Sequence, residues 1–343
     1  MNYLIFRTDR IGDFLMTSSL LSAIKRNDDN SKIYIVASKK NADFIKKSYL
    51  VDKVFSLESN KLIDRFKLYI QLKNYKFDNI IISDKKNRSI LLALLLKSKN
   101  KLFNVSKEFQ KKLLSIFYKN ILIDNDKIKD LSLSDVLKNN CKSLGLNFKD
   151  EDFHYLKLDQ FKKQFLHGDL IDLENLEFLI FHYDEKWEIE NYAKTYKKAS
   201  NLTDISMNLD FFLGFLSQLA DKTKKKIFLS TGSVNTSMIE KIKVNAVKIN
   251  ECLYEISLKN NKAYLLINED FFSMSHLISK SSMFISCHGA FTHVASNYKI
   301  KILDIIEKDK IFHYSKITKH MKNYKCLFRD NFNLLSKDII KNS

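Results

Sequence analysis

The sequence predicts an α/β protein of two domains with a cleft between them. Short β-rich runs alternate with amphipathic helical stretches from the first residues onward, and this alternation restarts near residue 177. The 343 residues are 45% apolar, which is enough for two domains that each have their own core. Such alternation is typical of mostly parallel sheets covered by helices on both faces, with ligands at the carboxyl ends of the strands.

The first half of the chain carries five predicted strands separated by helical patterns. In the helical stretches, apolar residues recur every three to four positions, as on the buried side of a helix. The predicted strands are Tyr3–Phe6, Ile33–Ala37, Val51–Leu57, Asn79–Ser83 and Lys101–Val105, and the clearest helices are Phe14–Arg26 and Lys61–Lys73.

The second half repeats the pattern. Its predicted strands are Phe178–Tyr183, Lys226–Ser230, Tyr264–Asn268, Met283–Ser286 and Lys301–Ile306, with helices over Leu209–Lys222, Ser273–Lys280 and Phe291–Asn297. The polar stretch from Asp159 to Asn175 contains Gly168 and lacks a clean period, so we place the junction there. The predicted domains are residues 1–165 and 177–325, followed by a helical tail over 326–343.

Composition limits the classes of function. The formal net charge of +18 favours a polyanionic partner such as a nucleic acid, an anionic membrane surface or a phosphorylated substrate. The lysines are nevertheless spread along the chain, as on solvated helix faces. The cysteines form no CxxC pair for zinc or dithiol chemistry, and a reducing compartment fits their spacing: Cys141, Cys252, Cys287 and Cys326.

Neither a signal peptide nor a membrane span is expected. The amino terminus becomes charged at Arg7, after four apolar residues, and the longest apolar run extends only from Ile90 to Leu96. We therefore expect a cytoplasmic protein that at most rests on the membrane surface.

The glycines exclude two common nucleotide-binding motifs. No two of them are closer than 18 residues: Gly12, Gly145, Gly168, Gly214, Gly232 and Gly289. A dinucleotide fingerprint and a P-loop each need closely spaced glycines so that backbone can approach phosphate, so neither function is expected. Gly12, Gly232 and Gly289 do lie at or near the ends of predicted strands, where α/β proteins bind ligands.

The first candidate site joins the first strand to the first helix, over Arg7-Thr8-Asp9-Arg10-Ile11-Gly12-Asp13. Gly12 allows a tight turn, and Asp13 falls at the helix N-terminus. Asp13 is then either a helix cap or a carboxylate displayed at the carboxyl edge of the sheet and facing the cleft. In the second case it can act as a general base toward a hydroxyl.

The second candidate site is the strand, turn and helix of Ser286–His293. A helix start with a glycine and hydroxyl groups binds anions through its N–H groups and its dipole. His293 is either a packed helical histidine or part of the site. His288, at the turn, is harder to explain as a core residue.

The third candidate site follows the first strand of the second half. Lys186 can reach a phosphate as a point charge or be solvated at the surface, and Trp187 can cover an apolar wall. A metal site made of His182, Asp184 and Glu185 is disfavoured, because neighbouring positions rarely converge on one ion.

These segments resemble the heptosyltransferase-like glycosyltransferases of family 9, which have the GT-B fold of two Rossmann-like α/β/α domains facing a central cleft. Tyr3–Lys25 is similar to the family's amino-terminal signature, and Val51–Val54 is similar to the segment that follows it. Leu277–Ala295 is similar to the donor-binding motif. Aligned on that motif, His288 and Ala290 stand where the family usually has an aspartate and a glycine.

The resemblance implies an inverting, metal-independent transfer of a heptose-like sugar from a nucleotide-diphosphate donor, with no separate cofactor. It implies a lipopolysaccharide-core or related cell-envelope glycan as acceptor, carried by an anionic lipid at the inner face of the cytoplasmic membrane. Asp13 matches the catalytic base. We assign Arg7, Arg10 and Gly12 to the acceptor side. The donor side comprises Lys186, Thr231, Gly232, His288, Gly289, Thr292 and His293. The helical tail would pack back toward the first domain.

A different class of function stays open: a non-catalytic basic protein that uses the same scaffold to bind an anionic membrane surface or nucleic acid. The net charge and the altered second motif favour it. Basic and aromatic residues interleaved on a stacking platform are not evident, so nucleic acid is not the expected partner. In this case Asp13 would be dispensable, and binding would weaken steeply with salt.

Overall fold

The computed structural model describes residues 1–59, 61–123, 131–156, 176–190 and 202–343. The chain divides into two units, Met1–Tyr155 with Ser315–His320, and Leu156–Tyr314 with Met321–Ser343. The predicted junction over 159–175 lies outside the described residues, so the predicted domain boundaries stay a prediction.

The first unit is a parallel sheet of six strands in the order β3-β2-β1-β4-β5-β6. This is the strand order of a doubly wound Rossmann sheet. Its elements are β1 Asn2–Phe6, α1 Ile11–Asn27, β2 Lys32–Ser38, α2 Ala42–Lys46, β3 Lys53–Leu57, α3 Leu62–Leu72, β4 Phe77–Ile82, α4 Asn87–Leu95, β5 Ser98–Val105, α5 Glu108–Ser115, β6 Ile121–Ile123 and α6 Leu133–Ser143.

Three helices cover one face of this sheet. The connections after β3, β4 and β5 run in the same direction across the sheet, and right-handed crossovers therefore place α3, α4 and α5 on a common face. Leu68 of α3, Ile90 of α4 and Leu114 of α5 share one apolar core with Leu4 and Phe6 of β1. The connection after β1 runs in the opposite direction, so α1 covers the other face, where it contacts α6.

The second unit is a mixed sheet of eight strands in the order β14-β13-β12-β7-β8-β11-β10-β9, in which β10 is antiparallel to both of its neighbours, β11 and β9. Its elements are β7 Phe178–Tyr183, α7 Leu209–Thr223, β8 Lys226–Thr231, α8 Ser237–Asn245, β9 Val247–Lys248, β10 Leu253–Ser257, β11 Lys262–Leu266, α9 Phe271–Lys280, β12 Met283–Cys287, α10 Ala290–Asn297, β13 Lys301–Ile306, α11 Ile311–Thr318, β14 Tyr324–Phe328 and α12 Phe332–Asn342. The residues of α11 from Ser315 onward belong to the first unit.

The predicted α/β class is confirmed, and all ten predicted strands and five predicted helices are present within a few residues of their predicted ends. The carboxyl-terminal tail needs a correction. Residues 326–328 complete β14, and only the following helix, α12, matches the predicted helical tail. Phe332, Leu335 and Ile339 of that helix lie in the core of the second unit, whereas we expected the tail to pack toward the first domain.

Candidate functional site

The strand order of the first unit creates a crevice between β1 and β4. The chain runs outward from β1 to β3 and then returns to β4 on the other side of β1, and ligands bind at such points, beyond the carboxyl ends of the strands. The residues that follow both strands are joined there. The Thr8 hydroxyl donates to Asp84 at 2.6 Å, and Lys86 Nζ donates to the Thr8 carbonyl at 3.0 Å.

A cavity of about 540 Å³ lies at this edge of the sheet. Its charged lining comprises five cations, Arg10, Lys39, Lys40, Lys86 and Arg88, and three carboxylates, Asp9, Asp13 and Glu58. Two of the carboxylates have lysine partners, because Asp9 pairs with Lys86, and Glu58 lies 3.2 Å from Lys39. The excess of positive charge suits a ligand that carries negative groups.

Asp13 both caps a helix and lines this cavity. It is the third residue of α1, and its Oδ2 accepts a hydrogen bond from the Arg10 N–H at 3.1 Å. Its Oδ1 lies 3.7 Å from the Arg7 guanidinium, and the side chain is 35% exposed. The two interpretations of Asp13 are therefore compatible, since capping leaves one oxygen available to a ligand hydroxyl.

Arg7 connects the segments that form this edge of the sheet. It is buried, and its guanidinium donates to the Ser83 carbonyl at 2.5 Å and to the Asp13 carbonyl at 2.9 Å. It thereby ties β1, β4 and α1 together and fixes the position of Asp13. Gly12 lies in the first turn of α1, and among the described glycines only Gly145 has a positive φ. The tight turn expected from Gly12 is therefore absent.

The second unit has a comparable crevice, between β7 and β12. Lys186 follows β7 and His288 follows β12, and Lys186 Nζ donates to the His288 carbonyl at 2.9 Å and to the Cys287 carbonyl at 3.2 Å. The same ammonium pairs with Asp184 at 2.5 Å. Burial is the largest single influence and would lower the pKa of Lys186, but the charge and hydrogen bond of Asp184, added to the charge of Glu185 and the nearby Cys287, hold that pKa above its ordinary value. Lys186 is thus a charged, internally bonded residue and not a solvated surface lysine.

Two glycines allow close approach around Lys186. A Cβ at Gly232 would lie 3.0 Å from the Asp184 Cβ and 3.0 Å from a Glu185 carboxylate oxygen, and one at Gly289 would lie 3.2 Å from Lys186 Nζ. Larger residues at either position would displace this ion pair or the loop that carries it. Thr231, just before Gly232, ends β8 and pairs with Tyr183 of β7.

A buried carboxylate orders the start of α10. Asp304 of β13 is fully buried, and its Oδ2 lies 2.6 Å from His288 Nδ1 and accepts from the Tyr324 hydroxyl at 2.8 Å. The Thr292 hydroxyl donates to the other Asp304 oxygen at 3.3 Å. His288 is therefore held in one orientation at the turn. The ring of the buried His293 lies edge-on, with its centroid 5.4 Å from that of His288.

The remaining residues of the third candidate site are structural. Trp187 is fully buried against Phe181 and Tyr183, so the apolar surface that it covers is the core of the second unit. His182 Nδ1 lies 2.9 Å from the Ser230 hydroxyl, and burial lowers the pKa of His182 to about 4, which leaves it neutral at pH 7. In the part of the chain that the structure describes, no three His, Cys, Asp or Glu side chains are grouped to hold a metal ion.

Sequence reasoning missed three lysines at the first crevice, Lys39, Lys40 and Lys86, and one carboxylate at the second, Asp304. Lys39 and Lys40 come directly after β2, and Lys86 comes shortly after β4, so charged residues beyond predicted strands were an available signal. Asp304 had a signal of its own, since a single acidic residue inside an apolar strand is buried and must be bonded.

No protein-family model and no curated protein sequence matches the chain. Solved structures do match it over its full length. A family 9 glycosyl transferase from Veillonella parvula is 12% identical, with a TM-score of 0.69, and all of this chain aligns with 91% of that one. The E. coli heptosyltransferase WaaC, solved with ADP-2-deoxy-2-fluoro heptose, is 14% identical with a TM-score of 0.64 and full coverage of both chains. The E. coli ADP-heptose heptosyltransferase II is 10% identical with a TM-score of 0.64, and all of this chain aligns with 97% of it. The chain therefore has the GT-B fold of the family 9, heptosyltransferase-like glycosyltransferases, as the sequence resemblance implied.

Proposed function

We propose that the chain is a glycosyltransferase that moves a heptose-like sugar from a nucleotide-diphosphate donor to a lipopolysaccharide-core or related cell-envelope glycan. The full-length similarity to heptosyltransferases, one of them solved with an ADP-heptose analogue, supports the class of reaction. The observation that carries the proposal is Asp13, a partly exposed carboxylate in a basic cavity at the crevice of the first sheet.

In the proposed mechanism, Asp13 accepts the proton of an acceptor hydroxyl. The hydroxyl oxygen forms a bond to the anomeric carbon of the donor, on the side opposite the leaving diphosphate. The bond between that carbon and the diphosphate oxygen breaks, and the electron pair leaves with the diphosphate. One displacement inverts the anomeric configuration. Arg7 keeps the Asp13 carboxylate in place during proton transfer, while Arg10, Lys39 and Lys40 meet negative groups of the acceptor.

The donor side of the mechanism uses the second unit. We assign the diphosphate to the carboxyl ends of β7, β8 and β12, where Lys186, Gly232 and Gly289 approach one another. The charged Lys186 and the N–H groups in the first turn of α10 stabilise the leaving diphosphate, without a bound metal ion. Lys186 would exchange one of its two carbonyl partners for a phosphate oxygen, which forms the stronger, charge-assisted bond.

Calorimetric titration with a panel of ADP-, UDP-, GDP- and dTDP-linked sugars tests the proposal. We expect saturable binding of one nucleotide class, and transfer to an acceptor glycan with inverted anomeric configuration, which NMR of the product reports. Asp13→Asn is the matched control, since it should bind the same donor without transferring the sugar. Failure to bind every donor, together with salt-sensitive binding to polyanions, would instead favour the non-catalytic alternative.

A further inference from the structure

The three helices on one face of the first sheet expose large apolar side chains on their outer side. Their inner side packs into the core through residues such as Leu68, Ile90 and Leu114. Six large apolar residues on α3, α4, α5 and the two positions after α5 are each more than half exposed: Leu62, Phe66, Leu91, Phe109, Ile116 and Phe117. Single exposed apolar residues are ordinary, but a group of this size on one side of a unit marks an interaction surface. We call this outer side the α3–α5 face.

The amino-terminal ends of α4 and α5 are joined by a hydrogen bond. The Gln110 side chain of α5 donates to the Asn87 side chain of α4 at 2.6 Å. A cavity of about 410 Å³ lies at this junction, and its lining includes Arg65 of α3, Lys85 before α4 and Lys107 before α5. All three helices therefore border one basic cavity, at the amino-terminal ends of the helices that carry the exposed apolar side chains.

The three segments that carry the α3–α5 face are also strongly basic. Residues 61–73, 85–97 and 107–119 contain twelve lysines and arginines but only two acidic residues, Asp64 and Glu108. More than half of the net charge of +18 thus lies on these three segments. Large apolar residues flanked by lysines are typical of surfaces that lie in the interface of an anionic bilayer. A second copy of the chain fits poorly, because it would bring two surfaces of like charge together.

We propose that the α3–α5 face docks on a bilayer that contains anionic phospholipids. Its phenylalanine and leucine side chains would enter the interface between headgroups and acyl chains, and the basic cavity would receive a headgroup phosphate. None of the described helices is long and apolar enough to cross a bilayer. The inference deepens the proposed function and rests on it for one point, the lipid-borne acceptor. Lys86 and Arg88 line both this cavity and the cavity of Asp13, so a docked bilayer would present its glycans beside Asp13.

Co-sedimentation of the full chain with extruded vesicles tests the docking. We expect binding to phosphatidylcholine vesicles that contain about 30% phosphatidylglycerol, and little binding to phosphatidylcholine alone, because each basic residue gains from the negative surface potential. Binding should weaken as salt is raised from about 0.05 to 0.5 M, because the screening length shortens. Equal binding to both vesicle types, or binding to neither, would overturn the proposal.

A double variant locates the surface. Phe109 and Phe117 are 73% and 78% exposed, so Phe109→Ser with Phe117→Ser should leave folding unchanged. We expect the vesicle partition coefficient to fall by roughly tenfold or more for each side chain removed from the interface. Val244→Ser with Val247→Ser is the matched control, since these residues are 85% and 62% exposed on the second unit. The control should bind vesicles like the wild type.

Two outcomes would count against the α3–α5 face. Wild-type vesicle binding by the double phenylalanine variant would place the contact elsewhere. A wild-type dimer in sedimentation velocity that the phenylalanine variant abolishes would make a second copy the occupant. Vesicle binding is measured without a nucleotide sugar, so its failure leaves the proposed transferase function standing. Conversely, a chain that binds vesicles but no donor would refute the transferase and keep the docking surface.

Discussion

Replacing Asp13 by asparagine separates the two roles of its carboxylate. Asparagine keeps an oxygen for the Arg10 N–H, which lies 3.1 Å away, and it caps helices about as well as aspartate. The change removes the negative charge near the helix start, which contributes about 0.3–1 kcal/mol. It also removes the 3.7 Å pair with Arg7, which contributes less than about 1 kcal/mol because the carboxylate is one-third exposed. We expect the first unit to lose about 0.3–2 kcal/mol and the unfolding midpoint to fall by about 1–8 °C.

The same variant should lose far more activity than stability. Without a proton acceptor, turnover should fall by roughly 10²–10⁴, while donor affinity stays near that of the wild type, since the proposed donor residues belong to the second unit. A thermal melt, a calorimetric donor titration and a sugar-transfer assay on one preparation measure all three quantities.

Asp9→Asn is the comparison for this experiment. It removes a carboxylate of the same cavity that is already paired with Lys86 and Arg7. We expect it to cost turnover much less than Asp13→Asn does. Near-normal turnover of Asp13→Asn with a normal melt would refute the reasoning and leave Asp13 as a helix cap only.

Two further predictions concern the second unit. Lys186→Ala should weaken nucleotide-diphosphate binding by about 1.5–3 kcal/mol. Calorimetry on a variant that a thermal melt shows to be folded measures this loss. Unchanged affinity would mean that Lys186 serves only to hold Asp184 and the carbonyls of Cys287 and His288. The second prediction concerns pH. Burial lowers the pKa of His182 to about 4 from an ordinary 6.5, so protons bind preferentially to the unfolded chain between these values, and stability should fall as the pH drops from 6.5 to 4. Thermal melts of the wild type and His182→Gln over this range would contradict the assignment if their pH dependence were the same.

The local pattern of apolar and polar residues was sufficient to predict most of the strands and helices. Strands buried on both faces need continuous apolar runs, and Phe178–Tyr183 and Lys301–Ile306 were predicted with their observed ends. The strands that went unpredicted lie at or near sheet edges and are short or polar, such as Val247–Lys248 and Tyr324–Phe328. Such segments become strands because an adjacent strand of the sheet offers unpaired N–H and C=O groups. The sequence of the segment itself does not show that such a strand will lie beside it.

By itself, the sequence determined the alternation of strands and helices, the position of Asp13 in the first turn of α1 and the turn at Gly289, because these features depend on residues close together in the chain. Only the tertiary structure decided that Lys186 bonds to the backbone of His288, 102 residues away, and that Asp304 lies beneath His288. It also decided that Leu91, inside the most apolar run of the chain, is exposed on α4. Periodicity reports what one segment can bury, whereas strand order decides which segments meet and which apolar sides stay uncovered. That order depends on packing summed over the whole unit.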